Sequence, residues 1–221
     1  MDHGTLVTTR RMHRRFDPDR PVPRDVLVRA LTHATHAPSA GWSQGWDFVV
    51  LSRRPDVDRY WEATRRPGPP DAWLRGLLTA PCLVLVCSDP ERYLDRYAEP
   101  DKRWGDRSTE RWPIPYWDVD AGMAALLALL AVHDEGLGGL FFGVPRGRHD
   151  AVREAFGIPA DRRLVATLAL GHPDPGGDRG APGSASRRRR PLAEVAHDGA
   201  FGRPFPAGPS AADRSGGDNP V

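Results

Sequence analysis

The chain has 221 residues, 39% of them hydrophobic, and a formal net charge of +2. That length suffices for one domain with a substantial core, and so small a net charge supplies no global field for a nucleic acid. Lys102 is the only lysine among 31 basic residues, a skew that marks a GC-rich genome and lowers the weight of any arginine cluster.

Residues 1–16 are polar and basic without an apolar stretch, so no secretory signal is read there. Residues 5–13 read as a first helix that ends before Phe16-Asp17-Pro18. A second helix follows Pro23, with Val26, Leu27, Ala30, Leu31 and Ala34 at helical spacing. Residues 46–51 read as a strand. Helices are expected over 58–64 and 71–79, separated by the breaker Arg66-Pro67-Gly68-Pro69-Pro70. Residues 83–87 are apolar on both faces and therefore a central strand. Cys82 and Cys87, five apart, fall on opposite faces of it and are expected as free buried thiols.

Residues 88–117 combine charge with aromatics, and Pro113 and Pro115 oppose regular structure. An irregular insertion of that length in a compact domain is expected to be a functional lid. Residues 118–135 read as a long helix, apolar nearly all round and so buried on several sides. Its apolar run, 121–132, is too short to span a bilayer, and a soluble, cytoplasmic protein with no membrane partner is expected. A strand at 140–144, a helix at 146–156 and a strand at 164–171 complete an α+β domain of residues 1–198. Residues 173–186 read as a flexible linker and 199–221 as a disordered tail.

Candidate chemistry is concentrated in few places. Arg10 and Arg14 share one face of a helix, Arg11 and Arg15 the adjacent one, and guanidinium forks match phosphate geometry. A solvated basic face explains these residues equally well. The run Arg187-Arg188-Arg189-Arg190 presents alternate arginines to opposite sides of an extended segment. The small-residue loop 37–46 sets backbone amides and short hydroxyls beside a flat ligand. Gly136-Leu137-Gly138-Gly139 lacks the spacing and the strand-to-helix order of a dinucleotide fingerprint; its glycines are read as letting a strand pass close to a flat ligand. His33 and His36 share a helix face without an evident third ligand, so no metal site is assigned.

Taken in order, Arg-Arg-x-x-Arg-x-Phe at 10–16, Pro21-Val22-Pro23, Ala37-Pro38-Ser39 through Gln44 and Trp46, Gly136-Leu137-Gly138, Leu170-Gly171-His172 and Arg189-Arg190-Pro191-Leu192 resemble the nitroreductase superfamily of FMN enzymes. The resemblance covers roughly residues 5–197. It implies an α+β sandwich with a mostly antiparallel central sheet flanked by helices, in an intertwined homodimer with FMN at the interface. It implies that Arg10, Arg11 and Arg14, with Arg187 and Arg189, hold the FMN phosphate. Pro38, Ser39 and Ala40 would face the flavin from the partner subunit, backbone amides around Gly143 and Val144 would lie near its N5, and Trp42, Gln44 and Phe142 would also contact the cofactor. Trp42 stands where the family usually has asparagine, and Gly45 where it has proline. An indole donates one hydrogen bond and accepts none, so either the flavin is held differently or Trp42 narrows the substrate face by stacking.

The implied activity is hydride transfer from NAD(P)H through flavin N5 to a nitroaromatic, quinone or other conjugated small molecule, by a ping-pong cycle. The flavin carries the chemistry, and no catalytic side chain is named. Trp42, Trp112, Tyr116 and Trp117 are the expected substrate contacts. The alternatives are a specialised flavin dehydrogenase or deazaflavin-linked reductase of a biosynthetic pathway, and a flavin-binding protein without turnover.

Overall fold

The computed structural model describes residues 1–102, 104–176 and 187–206, which fall into two compact units, Met1–Gly180 and Ala181–Val221. The division lies within the expected 173–186 linker, of which 177–186 are outside the described residues, as are 207–221 of the expected tail.

The first unit carries α1 (His3–Thr9), α2 (Arg24–Ala34), a 3₁₀ turn (Ala40–Trp42), β1 (Trp46–Leu51), α3 (Arg54–Ala63), α4 (Ala72–Leu77) and β2 (Cys82–Ser88). There follow α5 (Pro90–Ala98), a second 3₁₀ turn (Thr109–Arg111), α6 (Tyr116–Asp134), β3 (Gly138–Phe142), α7 (His149–Phe156) and β4 (Arg163–Gly171). The strands form one antiparallel sheet in the order β1-β2-β4-β3. This is the expected α+β sandwich.

The sheet is covered on both faces, which is why its inner strands are apolar throughout. Val26, Leu27, Ala30 and Ala34 of α2 and the alanine-rich face of α6 pack on Cys82, Val84, Val86, Ala166 and Leu168. On the other face Val57 and Tyr60 of α3, Leu77 of α4 and Val152 of α7 cover Leu83, Leu85, Cys87 and Leu140. Cys82 and Cys87 are free and lie in different cores, as their spacing requires. Burial pushes the Cys82 thiol up to about 12 and the Cys87 thiol up to about 11, so neither is a poised nucleophile.

Three expectations are corrected. First, α1 stops at Thr9 rather than 13. The Thr8 and Thr9 hydroxyls donate back to the Gly4 and Thr5 carbonyls, and the chain beyond them pairs with β3 instead. Met12 bridges Gly139 in parallel, and the His13 amide donates to the Gly139 carbonyl at 3.0 Å. Arg10, Arg11, Arg14 and Arg15 therefore share no helix face.

Second, 88–117 is regular at both ends and irregular only between α5 and α6, where the described residues of 99–115 hold one 3₁₀ turn. β2 continues through Ser88, and Asp89 caps α5 by accepting from the Glu91 and Arg92 amides, with Pro90 in the first turn. α6 begins at Tyr116, so Tyr116 and Trp117 are helical. Third, β3 begins at Gly138, two residues early. Its glycines make room for protein: a Cβ on Gly138 would lie 2.8 Å from the His13 ring and one on Gly139 2.5 Å from Leu129.

By length and composition alone α6 is long and apolar enough to cross a membrane, but half of that stretch is buried in this fold, the position of a core helix. One stripe of it is open. Val119 and Leu126 are exposed, with Met123 half-buried between them, and Leu126 keeps 47% of its surface in solvent. Val28 of α2 is 55% exposed.

The second unit contains α8 (Leu192–Val195), followed by a chain that folds back: the Phe205 amide donates to the Ala196 carbonyl, and His197 bridges Pro204. Residues 199–206 of the expected tail thus have defined turn structure.

Candidate functional site

The predicted residues that belong to the first unit fall at two separate places in it. One comprises the segment 10–14, which bridges β3 at Gly139 before the chain turns to pair with 172–174, and the exit of β3 at Phe142, Gly143 and Val144. Arg10 sits at the C-terminal end of α1 with its Nη1 buried and without a hydrogen-bond partner. Arg11 Nη1 donates to the Thr8, Thr9 and Arg10 carbonyls, and Arg14 Nη1 donates to the Met12 carbonyl at 3.2 Å. The positive charge of Arg10 is felt at His133, whose pKa is lowered first by burial and then by Arg10. A buried donor on a cation without an acceptor is costly unless an anion completes it. Gly143 is exposed, and a Cβ there would meet nothing within 4 Å.

Beside Gly143 opens a cavity of about 250 Å³ lined by Trp61, Trp73, Phe142, Pro145 and the 66–71 loop. Phe142 stacks on Trp61 with ring centroids 6.0 Å apart and meets Trp73 edge-on at 5.9 Å. Trp61 and Trp73 were not anticipated from the sequence. The aromatic spacing in 57–73 is the signal that could have marked them.

The other place is the loop before β1. Its turn is drawn tight by internal bonds: the Ser39 Oγ accepts from the Gln44 amide at 3.0 Å, and the Ser43 hydroxyl donates to the Ala40 carbonyl at 2.7 Å. Gly41, Trp42 and Gln44 have φ of 63°, 61° and 50°. For Trp42 and Gln44 this left-handed backbone is strained. Trp42 is 70% exposed. Pro38 is exposed, and Ser39 and Ala40 are half-buried.

Gly45 is explained by its neighbours, since a Cβ there would lie 2.4 Å from the Tyr93 ring and 2.8 Å from the Asp89 carbonyl oxygen. Gly45→Ala is expected to destabilise the fold by roughly 1–3 kcal/mol, as overpacking does. Thermal denaturation should show a midpoint lower by roughly 3–10 °C.

Behind the loop, Tyr93, Tyr97, Trp104, Trp112, Tyr116 and Trp117 form one aromatic cluster, with Trp112 at its centre, 4.6 Å from Tyr97 and 5.7 Å from Trp117. Trp117 is buried and Trp112 half-buried, whereas Tyr116 is exposed. The expected lid is therefore a packed platform at two of its three named positions, and Tyr116 keeps an open face.

The register separates the two places. Trp46 lies opposite Ser88, which lies opposite Arg163; Phe142 lies opposite Thr167, in line with Leu85 and Val49. Three interstrand spacings of about 4.8 Å put the β1 entry and the β3 exit about 14 Å apart across the sheet, with roughly 10 Å more along it. One protomer does not bring Ser39 and Gly143 together. Arg187 and Arg189 belong to the second unit, where both are exposed in a non-helical stretch. Among the described residues no three His, Cys, Asp or Glu side chains group as metal ligands.

A protein of Archaeoglobus fulgidus named "Putative NADH dehydrogenase/NAD(P)H nitroreductase" is 29% identical over 170 residues, covering 76% of this chain and 83% of the relative. A Desulfovibrio desulfuricans structure solved in complex with FMN superimposes with a TM-score of 0.67 at 25% identity, over 93% of this chain and 99% of that one. A nitroreductase family protein of Clostridium difficile has the same fold, with a TM-score of 0.67 at 20% identity, over 91% of this chain and 100% of that one. The sequence model of the Nitroreductase family matches residues 7–172, three-quarters of the chain and nearly the whole first unit, and the chain belongs to that family.

Proposed function

We propose that this chain is an FMN-dependent oxidoreductase that passes hydride from NADH or NADPH to a conjugated small molecule such as a quinone or nitroaromatic. The observation that carries the reading is Arg10, whose Nη1 is buried without an acceptor among the described residues, in a segment that bridges β3, the strand that ends beside the open backbone at Gly143. The residues fit the cofactor. Arg10, Arg11 and Arg14 would hold its phosphate through charge-assisted bonds, and the backbone at Gly143 and Val144 would border its ring. When bound, FMN supplies two-electron hydride acceptance and donation, which no side chain of this protein can provide.

The remaining work belongs to the chain. Arg10, Arg11 and Arg14 fix the phosphate end and so the orientation of the ring. Pro38, Ser39 and Ala40 would close the site from a second copy, because a single protomer keeps them too far from Gly143. Ser39 accepts from the Gln44 amide, which leaves its hydroxyl proton free to donate. Trp42, Tyr116, Trp73 and Phe142 would frame the substrate, with Trp112 and Trp117 as the platform behind Tyr116. The nicotinamide would leave before the acceptor enters, in a ping-pong cycle.

The test is purification of the full chain, a visible spectrum, release and identification of the pigment, then anaerobic addition of NADH or NADPH. The expected result is a yellow protein containing FMN that is bleached by a nicotinamide and restored by a quinone. A colourless protein that takes up no added FMN overturns the reading. The large exposed indole of Trp42 favours, as second reading, a narrow-range enzyme using reduced deazaflavin; turnover with that donor and with neither nicotinamide would select it.

A further inference from the structure

Asp120 is the least explained charged residue of the molecule. It lies on the second turn of α6, is 2% exposed, and forms no salt bridge among the described residues. A carboxylate taken out of water without a cation is expensive, so its two bonds need a reason. Both end on one oxygen: Oδ2 accepts from the Ala40 amide at 2.8 Å and from the Tyr93 hydroxyl at 2.8 Å. The Tyr93 pKa is raised, first by burial and then by this bond, so the phenol remains a donor.

These bonds converge on the strained turn. Ala40 opens the turn in which Gly41, Trp42 and Gln44 all take left-handed backbone. Each such non-glycine residue costs about 1–3 kcal/mol and persists only where its surroundings over-determine it. Tyr93 packs where a Gly45 side chain would stand, and Arg96 Nε donates to the Gly41 carbonyl at 2.8 Å. α5 therefore backs the turn from one side, and Asp120 ties α5, α6 and the turn together through hydrogen bonds to the Tyr93 hydroxyl and the Ala40 amide.

We propose that Asp120 is a positioning residue that holds the 39–44 turn in its strained form and thereby sets where the Trp42 indole stands, and with it the size of acceptor admitted. The proposal rests on the reading above, in which this turn faces the cofactor and substrate of a second copy. Trp42 is 70% exposed, so packing covers less than a third of it. Its placement is inherited from the backbone, and the backbone is held by Asp120.

The test uses the full chain with Asp120→Ala, Asp120→Asn and Tyr93→Phe. Native-state hydrogen exchange comes first because it needs no flavin. In Asp120→Ala the amides of 40–44 should exchange about tenfold faster or more, the loss expected for one buried hydrogen bond to a charged group, with α6 and the strands unchanged. Asp120→Asn keeps an acceptor oxygen and the side-chain volume, and should restore most of the protection. Tyr93→Phe leaves the Ala40 bond and should have the smaller effect.

In turnover, Asp120→Ala should shrink the preference for a small over a bulky quinone, as read in kcat/KM, and Asp120→Asn should return it. Unchanged exchange at 40–44 in Asp120→Ala overturns the proposal. So does faster exchange spread through α6 and β2, which would make Asp120 a general scaffold residue. If Asp120→Ala fails to fold, Asp120→Asn decides alone: it must keep the wild-type acceptor preference. Failure of the wild type to bind FMN would sink the oxidoreductase reading and leave the exchange result standing.

Discussion

Arg10→Ala weakens FMN binding by roughly 10- to 100-fold, the worth of about one to two decades for a lost charge-assisted hydrogen bond, and leaves the apoprotein at least as stable as before. The second half is the diagnostic part. Arg10 Nη1 is buried and meets no acceptor among the described residues, so its removal takes away a partly desolvated cation and none of the hydrogen bonds described above. A structural arginine behaves in the opposite way, lowering the unfolding midpoint when truncated. Fluorescence titration with FMN, beside thermal denaturation of the apoprotein, reads both.

His133 gives an independent reporter at the same place. Its Nε2 is 3.0 Å from the Thr9 hydroxyl, and its pKa is lowered by burial and by the Arg10 charge. An anion that neutralises Arg10 removes part of that lowering, so FMN should raise the His133 pKa in the wild type. In Arg10→Ala the value starts higher and FMN moves it less. Proton NMR of the imidazole follows the titration. If the affinity is unchanged and His133 does not respond, the phosphate lies elsewhere.

What could be read from the sequence divides along local and non-local physics. β1 at 46–51, the apolar run of β2, and α6 are written in residue pattern alone, because burial on one or both faces selects apolar residues at fixed period. The Asp89-Pro90 start of α5 is also a local signal, but the aromatic and charged composition around it hid the cap. Other features are set from afar. Residues 10–13 leave the helix where Met12 and His13 pair with Gly139 of β3, and Asp120 binds an amide 80 residues away. Gly45 is fixed by Tyr93, and no single segment contains both. The motif order identified the family, whereas the way Trp42 is held became visible only once α5 and α6 were placed behind its turn.

Leu126→Asp is expected to separate the protomers of the proposed dimer and, with them, to abolish the proposed function. Val119, Met123 and Leu126 form an open stripe on α6, while the opposite face of that helix is filled by the core, and Val28 of α2 is exposed as well. A helix apolar all round requires cover on its second side. The two halves of the candidate site lie at opposite edges of one sheet, so only a second copy can join Ser39 to Gly143. In a two-fold dimer each substitution acts twice, and a carboxylate forced into a dry interface costs several kcal/mol, enough to raise the dimer dissociation constant by about 100-fold or more. Light scattering should show a dimer in the wild type and a monomer in Leu126→Asp, with FMN affinity and quinone reduction lost together. Leu126→Ala removes apolar area without adding charge and should stay dimeric at high concentration. A Leu126→Asp monomer that still binds FMN would place the whole site within one chain. A Leu126→Asp dimer of full activity would move the interface to another face.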